Sequence, residues 1–218
     1  MVTTPDLIDQ LCAGLTPVRR LRPPLLRAGL WLLLAASIVV VLAAIQGIRP
    51  GLALLLQAPA FTAALAGSLL TGALAAVAAF ELSLPDRSRL WLLLPAPALA
   101  LWVATIGYGC LTDWVSLGPD GIRLGSTLEC FATLLLVSLP PAAVLALMLR
   151  HTAWLHPTPA AMSGGLAVGG IAATAMSLLH DLDATVMVLV WTLGAAALIV
   201  ALCGLLGRRI FARTLRRT

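Results

Sequence analysis

Six apolar runs, each about 20 residues long, constrain this chain more than any other feature. A helix of about 20 apolar residues is long enough to cross the hydrocarbon core of a bilayer. The composition agrees, because 61% of the 218 residues are hydrophobic and 11% are charged, against about 25% charged in soluble domains. We therefore predict an all-α integral membrane protein whose transmembrane domain, residues 28–207, is a six-helix bundle. The predicted spans are roughly residues 28–48, 60–80, 90–110, 126–149, 160–179 and 185–206.

The arginines predict how the bundle is oriented. All 14 basic residues are arginine, and only Arg49 and Arg123 would lie on the side of the membrane opposite the termini. The other twelve fall in the N-terminal arm, in alternate connections and in the basic tail at 208–218. Basic residues collect on the cytoplasmic side of membrane proteins. The pattern predicts a multi-pass membrane protein with both termini cytoplasmic. This orientation explains the net charge of +5 without nucleic-acid binding.

The chain shows no pattern typical of catalysis or transport. No ionisable residue lies near the centre of a predicted span, where transporters place such groups for ion and substrate handling. There is no catalytic triad order, no HExxH and no lysine for a phosphate loop. The four cysteines form no zinc-ligand spacing. We predict no enzyme activity and no cofactor, and a small polytopic transporter is kept as an alternative.

Two predicted spans carry small residues at four-residue spacing, which lets helix backbones approach closely in lipid. Our first interpretation is packing within the bundle, and the second is a homodimer face. The positions are Ala64, Ser68, Gly72 and Ala76 in the second span, and Ala161, Gly165, Gly169, Ala173 and Ser177 in the fifth.

Residues 1–27 form the only long polar stretch, and they predict a cytoplasmic arm that begins with a short amphipathic helix. Thr4 followed by Pro5 is a typical helix start, and Thr16-Pro17 ends the helix. Asp6 and Asp9 suit the positive end of the helix dipole. Apolar residues spaced as one helical stripe follow at Leu7, Ile8, Leu11, Cys12 and Leu15.

A helix of roughly eleven residues is marginal by itself in water, because helix nucleation is costly. The arm therefore needs a surface to fold against, and three surfaces come into question: its own bundle, the membrane interface or a partner protein. Helices that lie on anionic lipid carry basic residues on their polar face, whereas this one carries Asp6 and Asp9. The pattern favours a helix that docks in the groove of a partner.

The run "DLIDQLCAGLTPVRRLRPP", the six spans, the loop "LHDLDATVMVLVW" and the arginine-rich end together resemble the NrsF family. The most specific parts are Leu15 to Arg20 and His180 to Trp191, and the resemblance covers essentially the whole chain. Members are bacterial inner-membrane anti-sigma factors for extracytoplasmic-function (ECF) sigma factors.

The resemblance implies that the arm sequesters an ECF sigma factor and that a periplasmic stress signal releases it. The partner-binding residues would then be Leu7, Ile8, Leu11, Leu15, Arg19, Arg20 and Arg22. The arginines would meet an acidic sigma-factor surface or the lipid headgroups. A membrane docking or assembly subunit without a sigma partner shares the evidence of the residues themselves and remains the alternative.

The resemblance also suggests periplasmic cysteines as sensors. Cys130 matches a cysteine common in the family, but the position of its companion, beside His180, is Asp181 here. A two-cysteine switch between those two positions therefore lacks its second cysteine here. One alternative is a disulfide between Cys110 and Cys130. Another is a metal site formed by Cys130, His180, Asp181 and Asp183. Simple packing of the cysteines is the third, and it is the one preferred for Cys12 and Cys203.

Overall fold

The computed structural model describes residues 4–13, 22–114, 127–149 and 157–179. These residues form helices and the turns between them, with no strand among them. In chain order the helices are α1 (Thr4–Ala13), α2 (Pro24–Gln46), α3 (Leu52–Leu55), α4 (Pro59–Leu82), a 3₁₀ helix (Arg89–Leu93), α5 (Ala96–Trp114), α6 (Thr127–Leu149) and α7 (Pro157–Leu179).

The all-α class is confirmed for the described residues, and α2, α4, α5, α6 and α7 overlap the first five predicted spans. Three helical stretches, Pro24–Gln46, Pro59–Leu82 and Thr158–Leu179, are long and apolar enough to cross a membrane. The sixth predicted span, 185–206, and the basic tail lie outside the described residues. The six-span bundle therefore stays a prediction.

Prolines and glycines determine where the helices begin and end. Pro24 and Pro59 each stand in a first turn, where a backbone N–H has no partner within the helix. α2 ends at Gln46 and is followed by Gly47, whose φ of 87° is a conformation that other residues avoid. The stretch "LPAPAL", residues 94–99, interrupts the third predicted span. The structure has a 3₁₀ helix up to Leu93 there, and α5 begins at Ala96.

α7 lies at the centre of the described bundle. Within its apolar span 72% of the residues are buried, compared with 22% in α2. One cluster of buried apolar side chains joins four helices through Trp31 of α2, Phe80 of α4, Leu145 of α6 and Ile171 of α7. The first transmembrane candidate is therefore peripheral and the last one described is central.

The α4–α7 seam, formed by Ser68 and Gly72 with Gly170 and Thr174, brings two helix backbones into contact. A Cβ atom added to Gly170 would lie 2.6 Å from the backbone nitrogen of Gly72. The hydroxyls of Ser68 and Thr174 are 2.9 Å apart beside this contact. Packing within the bundle is confirmed for Ser68 and Gly72. In α7, however, the contact is made by Gly170 and Thr174, each one position after the predicted Gly169 and Ala173.

Candidate partner-binding site and its junction with the bundle

The N-terminal helix α1 spans Thr4–Ala13. Its side chains from Thr4 to Asp9, and those of Cys12 and Ala13, are exposed. Leu7 is 50% and Ile8 54% exposed. The apolar side of this helix is therefore not covered by the described bundle.

The register of α1 separates an apolar from an acidic side. At 3.6 residues per turn, Leu7, Ile8 and Cys12 lie within one stripe, and Asp9 lies outside it. Leu11 is one turn after Leu7 along the same helix. Cys12 is a free, exposed thiol, so the prediction that it packs is not met by the described part of the chain.

Only part of the predicted binding set lies within the described residues. Arg22 is exposed, two residues before α2. Leu15, Arg19 and Arg20 lie outside the described residues.

Of the five sensing candidates, the structure describes two. Cys110 belongs to α5 and Cys130 to the first turn of α6, whereas His180, Asp181 and Asp183 lie outside the described residues. Within the described ranges no group of three or more His, Cys, Asp or Glu residues is placed to hold a metal ion. The disulfide and the metal site both stay predictions.

Arg27 is the residue whose role sequence reasoning missed, since it was assigned to the arm as a topology signal. α2 already begins at Pro24, and Arg27 is buried in its first turns. Its guanidinium group donates a hydrogen bond to the carbonyl oxygen of Met148. Its Cζ atom also lies 4.9 Å from the centre of the Phe80 ring, which gives a cation–π contact.

The Met148 carbonyl is a suitable acceptor for a buried cation. Met148 is the second-last residue of α6, so its carbonyl has no partner in its own helix. A positive charge is favourable at this negative end of the helix dipole. Arg27 thus caps α6 and joins α2, α4 and α6 at the root of the arm.

Two further hydrogen bonds continue this contact along α2. The indole nitrogen of Trp31 donates to the carbonyl oxygen of Pro141 at 2.9 Å. Near the other end, the side-chain amide of Gln46 donates to the Thr133 hydroxyl at 3.3 Å. These three bonds, from Arg27, Trp31 and Gln46, are called the α2–α6 seam below. The spacing of Arg27 and Trp31, one helical turn apart in an apolar run, was the signal available in the sequence.

Buried charge in the described residues is confined to helix ends. Besides Arg27, the buried charged side chain is Glu81, near the end of α4. One of its carboxylate oxygens lies 3.1 Å from Nε of Arg87, with side chains 4% and 44% exposed. The middle of the described helices holds hydroxyls such as Thr71, which donates to the Gly67 carbonyl of its own helix. This distribution gives no support to a polar transport path through the described residues.

In the described part of the chain, a short helix with exposed apolar side chains precedes an apolar helical bundle. A family model described as "NrsF: Negative regulator of sigma F" matches residues 11–212. The chain therefore belongs to the NrsF family, as the resemblance predicted. Searches among curated proteins and among solved structures gave no match.

Family membership implies a negative regulator of a sigma factor, which is a regulatory class and not a class of enzymes. A sigma factor is accordingly the implied partner. The match begins at residue 11, so residues 4–10 of α1 precede it. For Leu7 and Ile8 the functional inference therefore depends on their exposure in the structure and not on the family match.

Proposed function

We propose that this protein is a multi-pass inner-membrane anti-sigma factor. Its cytoplasmic arm sequesters an ECF sigma factor, and a stress signal on the periplasmic side releases it. The observation that carries the proposal is the exposed apolar side of α1. A ten-residue helix with uncovered leucine and isoleucine gains stability when a partner covers it.

The proposed binding mode is a helix in a groove of the sigma factor, anchored at positions 7, 8, 11 and 15. Leu7 and Ile8 are half exposed, so covering each contributes about 1 kcal/mol, half of a full burial. Ordering the arm costs part of this gain. Several anchors must therefore act together, and Arg19, Arg20 and Arg22 add contacts to acidic sigma-factor surface or to lipid headgroups.

The proposed topology places the arm where a sigma factor is found. Twelve of the 14 arginines lie in segments that the topology assigns to the cytoplasmic side. Three helical stretches, in α2, α4 and α7, are apolar enough to anchor the chain. A sigma factor held by the N-terminal arm would be kept at the membrane, away from RNA polymerase.

The proposed sensing region is at the opposite side of the membrane. Cys130 lies in the first turn of α6 and Cys110 near the end of α5, two helix ends assigned to the periplasmic side. Either a Cys110–Cys130 disulfide or a metal site of Cys130 with His180, Asp181 and Asp183 would receive the signal. Cys130→Ser is expected to abolish release by the stressor while leaving sigma-factor binding intact.

The test is a titration of the full-length protein in lipid nanodiscs with the ECF sigma factors of the same organism. Leu7→Gln/Ile8→Gln is expected to weaken binding at least tenfold, about 1.4 kcal/mol, because it removes two apolar anchors. Ala13→Gln is the matched control, since Ala13 is exposed outside the apolar stripe of α1. Glutamine is a good helix former, so both variants keep the helix.

The outcomes separate the alternatives. Micromolar or tighter binding of one ECF sigma factor, lost in the double variant and kept in Ala13→Gln, supports the proposal. No binding of any ECF sigma factor by the wild-type protein overturns it and favours the docking-subunit alternative. Equal binding by wild type and both variants removes α1 from the mechanism.

A further inference from the structure

The α2–α6 seam connects the two ends of the bundle. Arg27 and Gln46 are 19 residues apart, which is about 28 Å along a helix. Arg27 bonds near the last residue of α6, and Gln46 bonds to Thr133 near its first turns. The two helices therefore run antiparallel, with one hydrogen bond near each end and the Trp31 bond between them.

α6 has a weak point between these bonds. Pro140 and Pro141 lie inside the helix and have no backbone N–H. The carbonyls of Leu136 and Val137, four residues earlier, therefore receive no helical hydrogen bond from them. The helix is divided into two halves, residues 127–139 and 140–149, that can bend relative to each other more easily than a continuous helix.

α2 has no such weak point and is bonded to both halves of α6. Its one proline, Pro24, stands in the first turn. The Thr133 bond joins α2 to the first half of α6, and the Pro141 and Met148 carbonyls join it to the second half. A bend of α6 must therefore either tilt α2 as a rod or break a bond at one of its ends.

We propose that the α2–α6 seam transmits bending of α6 at Pro140–Pro141 to the first turn of α2 and so controls the N-terminal arm. This regulation rests on the proposed sequestration of a sigma factor by the arm. In the capped state Arg27 is bonded to Met148, and α2 presents the arm to the sigma factor. In the uncapped state the bond is broken and the root of the arm moves.

The burial of Arg27 determines which way the first turn of α2 moves in the uncapped state. A buried cation that loses its hydrogen-bond acceptor is costly, because its desolvation is no longer compensated. The first turn of α2 then shifts toward water or headgroups so that the guanidinium group is solvated again. Residues 22 and 23 are attached directly to this turn, so the arm shifts with it.

The experiment is hydrogen–deuterium exchange of the full-length protein in nanodiscs, read at the amides of residues 27–31 without any partner. Thr133→Val removes the hydroxyl at the far end of the seam, and we expect at least threefold faster exchange at residues 27–31. Thr105→Val is the matched control, because the Thr105 hydroxyl donates to Trp102 in its own helix. Arg27→Met shows the size of the signal when the cap itself is removed.

A second measurement reads the functional consequence on the same variants. The affinity of the full-length protein for its sigma factor is expected to fall at least threefold in Thr133→Val and in Trp31→Phe. It should not change in Trp91→Phe, which changes a half-buried tryptophan of the 3₁₀ helix outside the seam. Equal affinity of the Thr133→Val, Trp31→Phe and wild-type proteins overturns control of the arm.

The exchange measurement and the affinity measurement test different parts of the proposal. Unchanged exchange at residues 27–31 in Thr133→Val, with faster exchange in Arg27→Met, overturns the transmission whatever the protein binds. Faster exchange in Thr133→Val, in a wild-type protein that binds no sigma factor, supports the transmission and overturns the proposed function instead.

Discussion

The α4–α7 seam and the α2–α6 seam join helices in different ways. In the first, the backbones touch, since a Cβ on Gly170 would lie 2.8 Å from Cα of Gly72. In the second, long side chains cross from α2 to carbonyl or hydroxyl groups of α6. Backbone contact allows no movement of one helix past the other without collision, whereas side chains that bridge two helices leave room for α2 to tilt with α6 while their bonds hold. The comparison identifies α4–α7 as the fixed part of the bundle and α2–α6 as the adjustable part.

The largest expected effect comes from a change in the fixed seam. Gly170→Ala places a methyl group against the backbone of Gly72 and forces α4 and α7 apart. Overpacking costs about 1–3 kcal/mol, and the upper end of this range is expected here because backbone must move. The measurement is thermal unfolding in detergent, with Gly29→Ala as the control. No atom lies within 4 Å of a Cβ at Gly29, so that variant is expected to be slightly stabilised. Equal stability of the two variants would show that the helices are not in contact at Gly170.

An intermediate effect is expected at the arm-proximal end of the adjustable seam. Arg27→Met keeps much of the apolar stem but leaves the Met148 carbonyl without its donor and removes the contact with Phe80. The expected loss is about 1–2 kcal/mol in the same unfolding measurement. Arg22→Met, at an exposed arginine, is the control and should change stability little. A loss as large as that of Gly170→Ala would contradict the distinction between the two seams.

The smallest expected effect is the loss of a hydroxyl within the fixed seam. Thr174→Val removes the partner of the Ser68 hydroxyl but leaves the glycine contact intact. Hydrogen bonds between membrane helices contribute about 0.6 kcal/mol on average. Ser68 also donates to the Leu65 carbonyl of its own helix, so it is not left unsatisfied. A loss above that of Arg27→Met would show that hydroxyls, and not glycines, hold α4 to α7.

Much of the helical framework was predictable because it depends on residues close together in the chain. The apolar runs predicted five helices that the structure contains. Leu7 and Ile8 are exposed in the structure, and their role in docking stays a prediction. Hydropathy, proline positions and helical spacing are local properties, and they determine local structure.

The contacts of Arg27 and Trp31 with α6 were not predictable, because they join residues far apart in the chain. The hydrogen bond of Arg27 joins residues 121 positions apart, and that of Trp31 joins residues 110 positions apart. The hydropathy of one apolar run does not predict which other run packs against it. The one-residue difference in the α7 stripe has a similar cause. Gly164 of the same helix packs against Leu145 of α6, so the rotation of α7 satisfies two neighbours at once.

The sequence by itself determined the helical class, the places where apolar helices form and an amphipathic arm with acidic residues beside its apolar stripe. Its arginines predict the orientation, and its motifs indicated the family that the match over residues 11–212 confirms. Only the tertiary structure decided that α7 is central, that Gly170 meets Gly72, and that a buried Arg27 caps α6 at the root of the arm. The physical reason is that local preferences act along one segment. The choice of neighbours instead depends on how small residues, carbonyls and buried donors of distant segments fit together.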